Sequence, residues 1–340
     1  MANQREIAKA LGLAQATVSL AMRGHPSIPA KTQELVWETA KKLGYRPNPM
    51  VAALMESIRS GRPVKDQGCL AILYDKDSRD PFLQKLSAYR IQLEGMQNQA
   101  ILRGYRSECF YLHNPGVTAE ALDRQLYSRG IAGVILAAPK SVDSPAVRMQ
   151  WDRYAASTIS YTWQVPAVDR VSSHHRHNVD LAFQKVLERG YLRIGMCLPA
   201  AACNGVDSNW LAGYLVCESH LPARRRIPLF KGTIHDTPTE KFRAWHERWK
   251  PDVILSLMGE ETHWLKQIGI PREAMRIVCL NLQPGSPLSG IVENNYDVGA
   301  AATDIVVQKL NHNERGLPAH PRLLLIDGSW KEGNSLPAAH

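Results

Sequence analysis

Residues 5–23 of this 340-residue chain, REIAKALGLAQATVSLAMR, carry the strongest structural signal in the sequence. A first helix is predicted to begin at Asn3, because Asn3 and Glu6 form the Asn-x-x-Glu signature in which the two side chains cap backbone N–H groups reciprocally. Gly12 predicts the end of this helix, since glycine adopts the positive φ of a helix terminus more readily than other residues.

A second short helix is predicted over residues 15–22, with Val18 and Met22 facing inward. A short helix, a glycine turn and a second short helix with a polar face form the pattern of a helix-turn-helix unit, in which the second helix contacts base edges of DNA. An ordinary helical hairpin is the alternative from this stretch alone.

The following residues, SIPAKTQELVWETAKKLGYRPN at 27–48, predict a third helix that ends at Gly44. Its predicted inward positions follow helical spacing: Thr32, Leu35, Val36, Thr39, Ala40 and Leu43. With this helix in place, residues 3–54 resemble the lactose-repressor (LacI) family of bacterial transcription regulators. The resemblance rests on the segments IAKALGLAQATVSLAMRG, KKLGYRPN and PMVAALM and on the spacing between them.

Positive charge is concentrated at the start of the chain. Residues 1–65 contain ten Lys or Arg and four Asp or Glu, a net charge of +6 out of +9 for the whole chain. A basic segment of this kind suits a protein that binds the phosphate backbone, because each phosphate it neutralises releases counterions. A solvated basic surface without a partner is the alternative.

Composition narrows the class of protein further. The chain is 44% hydrophobic, no run approaches the ~18–20 apolar residues of a membrane span, and the N-terminus lacks an apolar signal-peptide core. We therefore expect a cytoplasmic protein without a membrane partner. The cysteines are scattered and form no C-x-x-C pair, which predicts reduced core thiols. They are Cys69, Cys109, Cys197, Cys203, Cys217 and Cys279.

From Cys69 onward, short apolar runs alternate with helical patterns, which predicts two parallel, doubly wound lobes with a ligand site between them. Predicted helices include residues 82–103, 147–156, 179–189 and 209–220, and predicted strands include STISY at 157–161 and RRIPLF at 225–230. This body resembles the sugar-binding-protein-like core of the LacI family in segments such as GVILAAP and NNYDVGAAATDIVVQKL. The resemblance implies three crossings between the lobes, near 161–166, 290–295 and 322–328.

The expected fold class is α/β, with three parts. Residues 1–47 form a three-helix helix-turn-helix headpiece, residues 48–65 a hinge helix and linker, and residues 66–340 a two-lobed, doubly wound, periplasmic-binding-protein-like core for effector binding and dimerisation.

The resemblance also implies which residues contact DNA. Residues 14–16 begin the recognition helix, and Leu20 stands where the family frequently has an Arg. Leu54 occupies the position of the leucine that opens the central base step in the minor groove, although it could instead pack against a partner hinge or the core. The implied DNA-contact residues are Asn3, Gln4, Arg5, Ala14, Gln15, Ala16, Ser19, Leu20, Arg23, Thr32, Tyr45, Asn48 and Leu54.

The residues expected around the effector depart from the family pattern. Trp210 replaces an Arg that clamps sugar hydroxyls, and Tyr161 replaces an Asp at the end of a strand. Losing these charged groups removes strong hydrogen bonds to a polyol, so the effector is expected to differ from an ordinary sugar, or to be absent. The candidate effector-binding residues are Asp75, Asp77, Phe82, Tyr161, Trp210, Glu260 and Asn281.

Three histidines, His174, His175 and His177, raise the question of a metal site. Adjacent imidazoles on a strand point to opposite faces, and no carboxylate or Cys follows at useful spacing. An exposed loop or cleft wall is therefore predicted, without a metal or other cofactor. No catalytic motif such as a nucleophile elbow or phosphate-binding loop is present in the sequence, so an enzyme is not expected.

These observations predict a homodimeric, sequence-specific regulator of transcription, most simply a repressor. Its partners would be double-stranded operator DNA and a small effector between the lobes. One alternative is a regulator that binds DNA without effector control. Another is a small-molecule-binding protein or enzyme with the same core fold.

Overall fold

A computed structural model describes residues 4–22, 27–45, 68–80, 87–139, 144, 146–163, 165–199 and 206–338 of the chain. The chain divides into two compact units, Met1–Gln67 and Gly68–His340. The predicted hinge segment at 48–65 and the predicted helix start at Asn3 lie outside the described residues.

The first unit contains three helices, as predicted. They are α1 (Gln4–Leu11), α2 (Gln15–Ala21) and α3 (Ala30–Lys42). Gly12 and Gly44 follow α1 and α3 with φ of +64° and +67°, which confirms their predicted role as helix terminators. The buried side chains come from all three helices: Ile7, Ala8, Val18, Ala21, Val36 and Ala40.

Two details of this small core differ from the prediction. Ala21 is fully buried, whereas Met22 is only partly buried. On α3, Leu35 and Leu43 are 50% and 42% exposed, so placing them inward was wrong. Helices α1 and α2 are so short that, among the described residues, they cover only the narrow stripe of α3 around Val36 and Ala40.

The second unit begins with a sheet whose strand order is β10-β5-β4-β3-β1-β2, all parallel. Its strands are β1 (Cys69–Tyr74), β2 (Arg106–Tyr111), β3 (Gly133–Leu136), β4 (Ala155–Ile159), β5 (Asp169–Ser173) and β10 (Leu323–Ile326). The helices of this lobe are α4 (Ser87–Leu102), α5 (Ala119–Ser128) and α10 (Asn295–Asn311).

The second lobe is built on a sheet of order β11-β9-β8-β7-β6, in which β11 is antiparallel to β9 and the other pairs are parallel. Its strands are β6 (Ile194–Cys197), β7 (Val253–Ser256), β8 (Ile277–Cys279), β9 (Ser289–Val292) and β11 (Ser329–Lys331). Its helices are α6 (His175–Glu188), α7 (Asn209–Ser219), α8 (Thr239–Trp249) and α9 (Glu261–Gln267).

Helices α4 and α10 of the first lobe pack with their backbones in close contact. A Cβ atom on Gly95 would lie 2.1 Å from the Tyr296 carbonyl oxygen, and one on Gly299 would lie 2.1 Å from the Gln92 carbonyl oxygen. Glycine at both positions therefore permits this approach, which any larger residue would prevent. On the outer side of the same contact, Asp304 accepts hydrogen bonds from Gln99 and Arg103.

Two predicted elements are wrong. Residues 147–156 form only a single 3-10 turn at Trp151–Arg153 before β4 begins at Ala155, because β4 pairs with β3 and β5 in the interior of the sheet. Residues 225–230 do not form a strand. A 3-10 turn covers Ala223–Arg225, and only Phe230 bridges to Cys197.

The lobe boundary also differs from the prediction. Strand β5 belongs to the first sheet, so the first crossing lies between Ser173 and His175, and its predicted place near 161–166 is wrong. Two more crossings follow within the described residues, from Val292 to Asn295 and from Ile326 to Ser329. These two agree with the predicted positions.

Five cysteines of the described region, Cys69, Cys109, Cys197, Cys217 and Cys279, are free thiols. Cys197 and Cys279 are buried, as predicted for core residues, whereas Cys69, Cys109 and Cys217 are only partly buried. Cys203 lies outside the described residues. In the part of the chain that the structure describes, no helix is both long enough and apolar enough to cross a bilayer.

Candidate functional site

The start of α2 is the most exposed part of the helix-turn-helix. Leu13 donates its backbone N–H to the Ala8 carbonyl at 2.9 Å, which fixes the turn between α1 and α2. Ala14, Gln15 and Ala16 follow and are all exposed. The two alanines leave Gln15 as the long polar side chain of this surface, with room for another backbone to approach.

The side chain of Gln15 is held by the first helix. Arg5 Nε donates to Gln15 Oε1 at 3.2 Å, and both side chains are exposed. The contact fixes the amide of Gln15 relative to α1 and places a guanidinium beside it. This part of the predicted DNA-contact set therefore lies together on one surface.

Gln4, the first residue of α1 and the neighbour of Arg5, contacts the residues that follow α2 and α3. Gln4 Nε2 donates to the Tyr45 hydroxyl at 3.2 Å and lies 3.9 Å from Met22 Sδ. Gln4 and Tyr45 are both partly buried, so they stabilise the arrangement of the helices as well as lying at the surface.

The remaining predicted DNA-contact residues fall into two groups. Ser19, Leu20 and Thr32 are partly buried on α2 and α3. Asn3, Arg23, Asn48 and Leu54 lie outside the described residues, and their roles stay predictions.

In the second unit, aromatic side chains surround a buried histidine at the first crossing. The His175 ring centroid lies 4.5 Å from that of Trp210 and 6.3 Å from that of Tyr161. His175 is 7% exposed, Trp210 5% and Tyr161 9%. Two of the predicted effector residues thus lie against the same imidazole, which comes from the start of α6.

Some polar atoms of this cluster have hydrogen-bond partners and others do not. His175 Nδ1 lies 2.9 Å from Glu293 Oε1, and Glu293 is 5% exposed, so the two buried side chains are hydrogen-bonded to each other. Trp210 Nε1 is buried and has no hydrogen-bond partner among the described residues. A buried donor left unpaired costs free energy, so this N–H is available to a ligand acceptor.

Glu293 also lines a cavity of about 330 Å³ beside the second crossing. Asn281, a predicted effector residue, lies in its wall, as do Gln283 and Tyr296. Helix α4 contributes Ala88 and Ile91 from the first lobe. The cavity therefore has walls from both lobes and a carboxylate that connects it to His175.

The aspartates after β1 find their partners within the first lobe. Asp75 is buried, and its Oδ1 lies 2.5 Å from His113 Nε2. Asp77 accepts hydrogen bonds from the side chain and the backbone N–H of Arg79, and these bonds lower the pKa of the Asp77 carboxyl. Asp77 is thus a turn residue, and Phe82 lies outside the described residues.

Two adjacent glutamates, Glu260 and Glu261, follow β7 and differ in burial. Glu260 is exposed, whereas Glu261 is buried at the start of α9. Glu261 Oε2 is hydrogen-bonded to the Ser256 hydroxyl, which accepts the Gly259 N–H at 2.6 Å. Burial raises the pKa of Glu261 to about 7, because a charged carboxylate is poorly solvated there.

Sequence reasoning missed three of these residues. Glu293 and His175 are joined across a separation of 118 residues, for which the sequence contains no signal. Glu261 could have been found, because it precedes the buried Trp264 and Leu265 by three and four residues on the same helix face.

The sequence analysis treated the three histidines as part of a strand, and this prediction is wrong. His174 is the residue before α6, and His175 and His177 are in its first turn. The sequence offered no carboxylate at useful spacing, but one lies close in space, because His174 Nδ1 lies 2.7 Å from Asp327 Oδ1. Pairing of β10 with β5 brings Asp327 to this place.

The N-terminal unit matches a family of known proteins. Residues 4–48 match the family described as "Bacterial regulatory proteins, lacI family". The HTH-type transcriptional regulator MalR of Streptomyces coelicolor is 26% identical over 285 residues, which span 81% of this chain and 70% of that protein. The HTH-type transcriptional regulator AglR of Rhizobium meliloti is 46% identical over 46 residues, 14% of this chain and 13% of that protein.

Solved structures share the fold of the whole chain. A complex of the transcriptional regulator CelR with cellobiose has a TM-score of 0.58 at 17% identity and covers 98% of this chain and 100% of its own. The lac repressor dimer bound to operator and the anti-inducer ONPF has a TM-score of 0.58 at 16% identity, with 99% of each chain covered.

A three-helix helix-turn-helix unit with an exposed second helix, followed in the chain by a two-lobed α/β core, defines the class of DNA-binding transcriptional regulators. Within this class, residues 4–48 match the lacI family of bacterial regulatory proteins. The greater part of the chain is similar to the transcriptional regulator MalR.

Proposed function

We propose that this chain is a homodimeric repressor that reads its operator through the start of α2 and is controlled by a small molecule bound between the lobes of its core. The observation that carries the proposal is the Arg5–Gln15 contact on the exposed surface of the helix-turn-helix. A Gln amide can make a bidentate hydrogen bond to adenine, and an adjacent Arg can contact phosphate.

The residues at the start of α2 limit how many DNA bases this surface can distinguish. Ala14 and Ala16 offer only methyl groups, which favour contact with the thymine methyl. Leu20, which is partly buried, cannot donate a hydrogen bond. Base discrimination is therefore expected to depend strongly on Gln15.

The core supplies the groups for an effector. The unpaired N–H of Trp210 is a donor, and the adjacent aromatic rings form an apolar wall. These groups suit a ring compound that carries a hydrogen-bond acceptor. A structure of CelR is a complex with cellobiose, but the Arg that clamps sugar hydroxyls in the family is replaced here by Trp210. We therefore infer an effector less hydroxylated than a common sugar.

A two-fold symmetric dimer follows from this function, because paired headpieces bind two half-sites of a palindromic operator. The lac repressor structure is such a dimer on its operator. A regulator that acts on the bacterial chromosome works in the cytoplasm. We further infer that the chain is not an enzyme, since the relatives that it matches are transcriptional regulators.

The test uses the full-length protein. Selection from a random DNA library should yield a palindromic site, and binding to that site should exceed binding to a scrambled duplex by at least 100-fold at the same salt concentration. Failure to enrich any sequence would overturn operator recognition.

Effector control is tested on the selected site. A compound library is screened by thermal shift, and each hit is added to the DNA-binding assay. Trp210→Phe keeps an aromatic ring but lacks the N–H, and it should weaken the effect of a hit about 10-fold without changing DNA affinity in its absence. Should no compound both bind the core and change DNA affinity, the regulator acts without an effector.

A further inference from the structure

We propose that His174, His177 and Asp327 form a binding site for one divalent transition-metal ion, of the zinc class, where the chain passes between the two lobes of the core. The proposal concerns the core alone. It can therefore be tested separately from DNA recognition and effector control.

The three side chains converge although they are distant in sequence. Their ligand atoms all lie within 4.8 Å of one another. His174 is the residue before α6, and His177 lies in the first turn of this helix three positions further on. Their rings are stacked at 5.4 Å with an angle of 24°, and His174 Nδ1 lies 2.7 Å from Asp327 Oδ1.

The donor set fits a particular class of ion. Two imidazole nitrogens and one carboxylate oxygen are ligands of Zn²⁺ at distances of ~2.0–2.2 Å, and a fourth position can hold water. Ca²⁺ and Mg²⁺ prefer sets made of oxygen alone. Entry of the ion replaces the direct His174–Asp327 contact and requires side-chain movements of about 1 Å.

The backbone around the site is already held in place. His174 donates its N–H to the Ile326 carbonyl at 2.8 Å. Asn294 Nδ2 donates to the Asp327 carbonyl at 2.8 Å, and the next residue, Gly328, donates its N–H to Asn178 Oδ1 at 2.9 Å. Binding therefore orders side chains only, which keeps the entropic cost low.

The site is also open to solvent. The side chain of Asp327 is 62% exposed and that of His174 is 35% exposed. An ion can therefore enter without unfolding of the core.

The position of the site gives a bound ion a mechanical effect. His174 belongs to the first crossing, Asp327 to the third, and His177 to α6 of the second lobe. An ion held by all three links the ends of β5 and β10 to α6. We expect it to stiffen the junction of the lobes.

The test is titration of the full-length protein with ZnCl₂ by calorimetry, alongside Co²⁺ absorption spectroscopy. We expect one saturable site per chain, with Co²⁺ bands of nitrogen and oxygen coordination and no thiolate charge-transfer band. His177→Ala should weaken Zn²⁺ affinity at least 10-fold. It leaves the His174–Asp327 contact intact, so the loss reports a missing ligand.

His312→Ala is the matched control, because His312 also faces a carboxylate, Glu314, at 3.6 Å on an exposed surface. This variant should bind like the wild type. Asp327→Asn gives a second, near-isosteric variant that should also bind at least 10-fold more weakly, and thermal melting checks that each variant is folded. Wild-type affinity in His177→Ala, a thiolate band, or no saturable binding would each overturn the proposal.

Discussion

Lys309 of α10 places its ammonium 2.9 Å from the Asp169 carboxylate of β5, and both side chains are almost fully buried. Arg322 contacts the same carboxylate at 2.7 Å from the surface, and Lys309 also donates to the Ala156 carbonyl at 3.2 Å. The Lys309–Asp169 pair holds α10, the helix after the second crossing, against β5, the strand before the first crossing. It thus stabilises the lobe on which all three crossings depend.

Replacing Lys309 by Met should destabilise the core by about 2–4 kcal/mol, because the buried Asp169 loses its interior partner and keeps only Arg322. Urea unfolding followed by tryptophan fluorescence measures this loss. Arg103→Met is the matched control, since it breaks the exposed ion pair of Arg103 with Asp304, a residue of the helix that also carries Lys309. This substitution should cost at most about 1 kcal/mol. Equal effects of the two substitutions would contradict the role of Lys309.

The same carboxylate should govern part of the acid stability. Burial alone would raise the pKa of Asp169, but the hydrogen bonds from Arg322 and Lys309 outweigh it and lower that pKa. A lowered pKa in the folded state contributes stability above the unfolded value of ~3.9, and this contribution is lost as the pH falls through the folded value. Asp169→Asn should therefore show a smaller loss of urea midpoint than the wild type between pH 5 and pH 3. Parallel curves would refute this.

Glu261 should act in the opposite direction. Its folded pKa of about 7 exceeds the unfolded value of ~4.3, so it reduces stability as the pH rises from the unfolded to the folded value. Glu261→Gln keeps a neutral group beside Ser256. Relative to the wild type, this variant should gain up to about 3 kcal/mol between pH 4 and pH 8. A difference in stability that does not change with pH would show that Glu261 stays charged.

Gln15→Ala should weaken operator binding by about 1–3 kcal/mol and leave binding to random DNA almost unchanged, because only a base contact is lost. Fluorescence anisotropy on both duplexes measures the two losses. Gln33→Ala is the control, since Gln33 Nε2 donates within the headpiece to the Ile28 carbonyl at 2.9 Å. Equal losses on the two duplexes would show that Gln15 does not read bases.

Arg5→Ala should weaken binding to both duplexes and reduce the salt slope by about 1 unit, since one phosphate contact is lost. Because Arg5 also holds the Gln15 amide, the two substitutions should not be additive on the operator. A double-mutant cycle should give a coupling of about 0.5–1 kcal/mol. An unchanged salt slope would make Arg5 a solvated helix residue.

Much of the fold was predictable from local signals. Gly12 and Gly44 end their helices with positive φ, and the apolar runs of the core become the buried strands β1, β3 and β7. These features depend on propensity and periodicity within a few residues, which a single sequence contains. The resemblance named Arg5 and Gln15 as separate DNA-contact residues, whereas the contact between their side chains emerged only from the structure.

The sequence by itself therefore determined the helix-turn-helix and most of the alternation of strands and helices in the core, with residues 147–156 and 225–230 as exceptions. Only the tertiary structure decided that the chain crosses after Ser173, that His175 meets Glu293, and that Asp327 lies beside His174 across 153 residues. Parallel strands pair through backbone groups that every residue carries, so no side-chain pattern predicts which strands become neighbours. The groups at the ends of β5, β9 and β10 meet only once that pairing has formed.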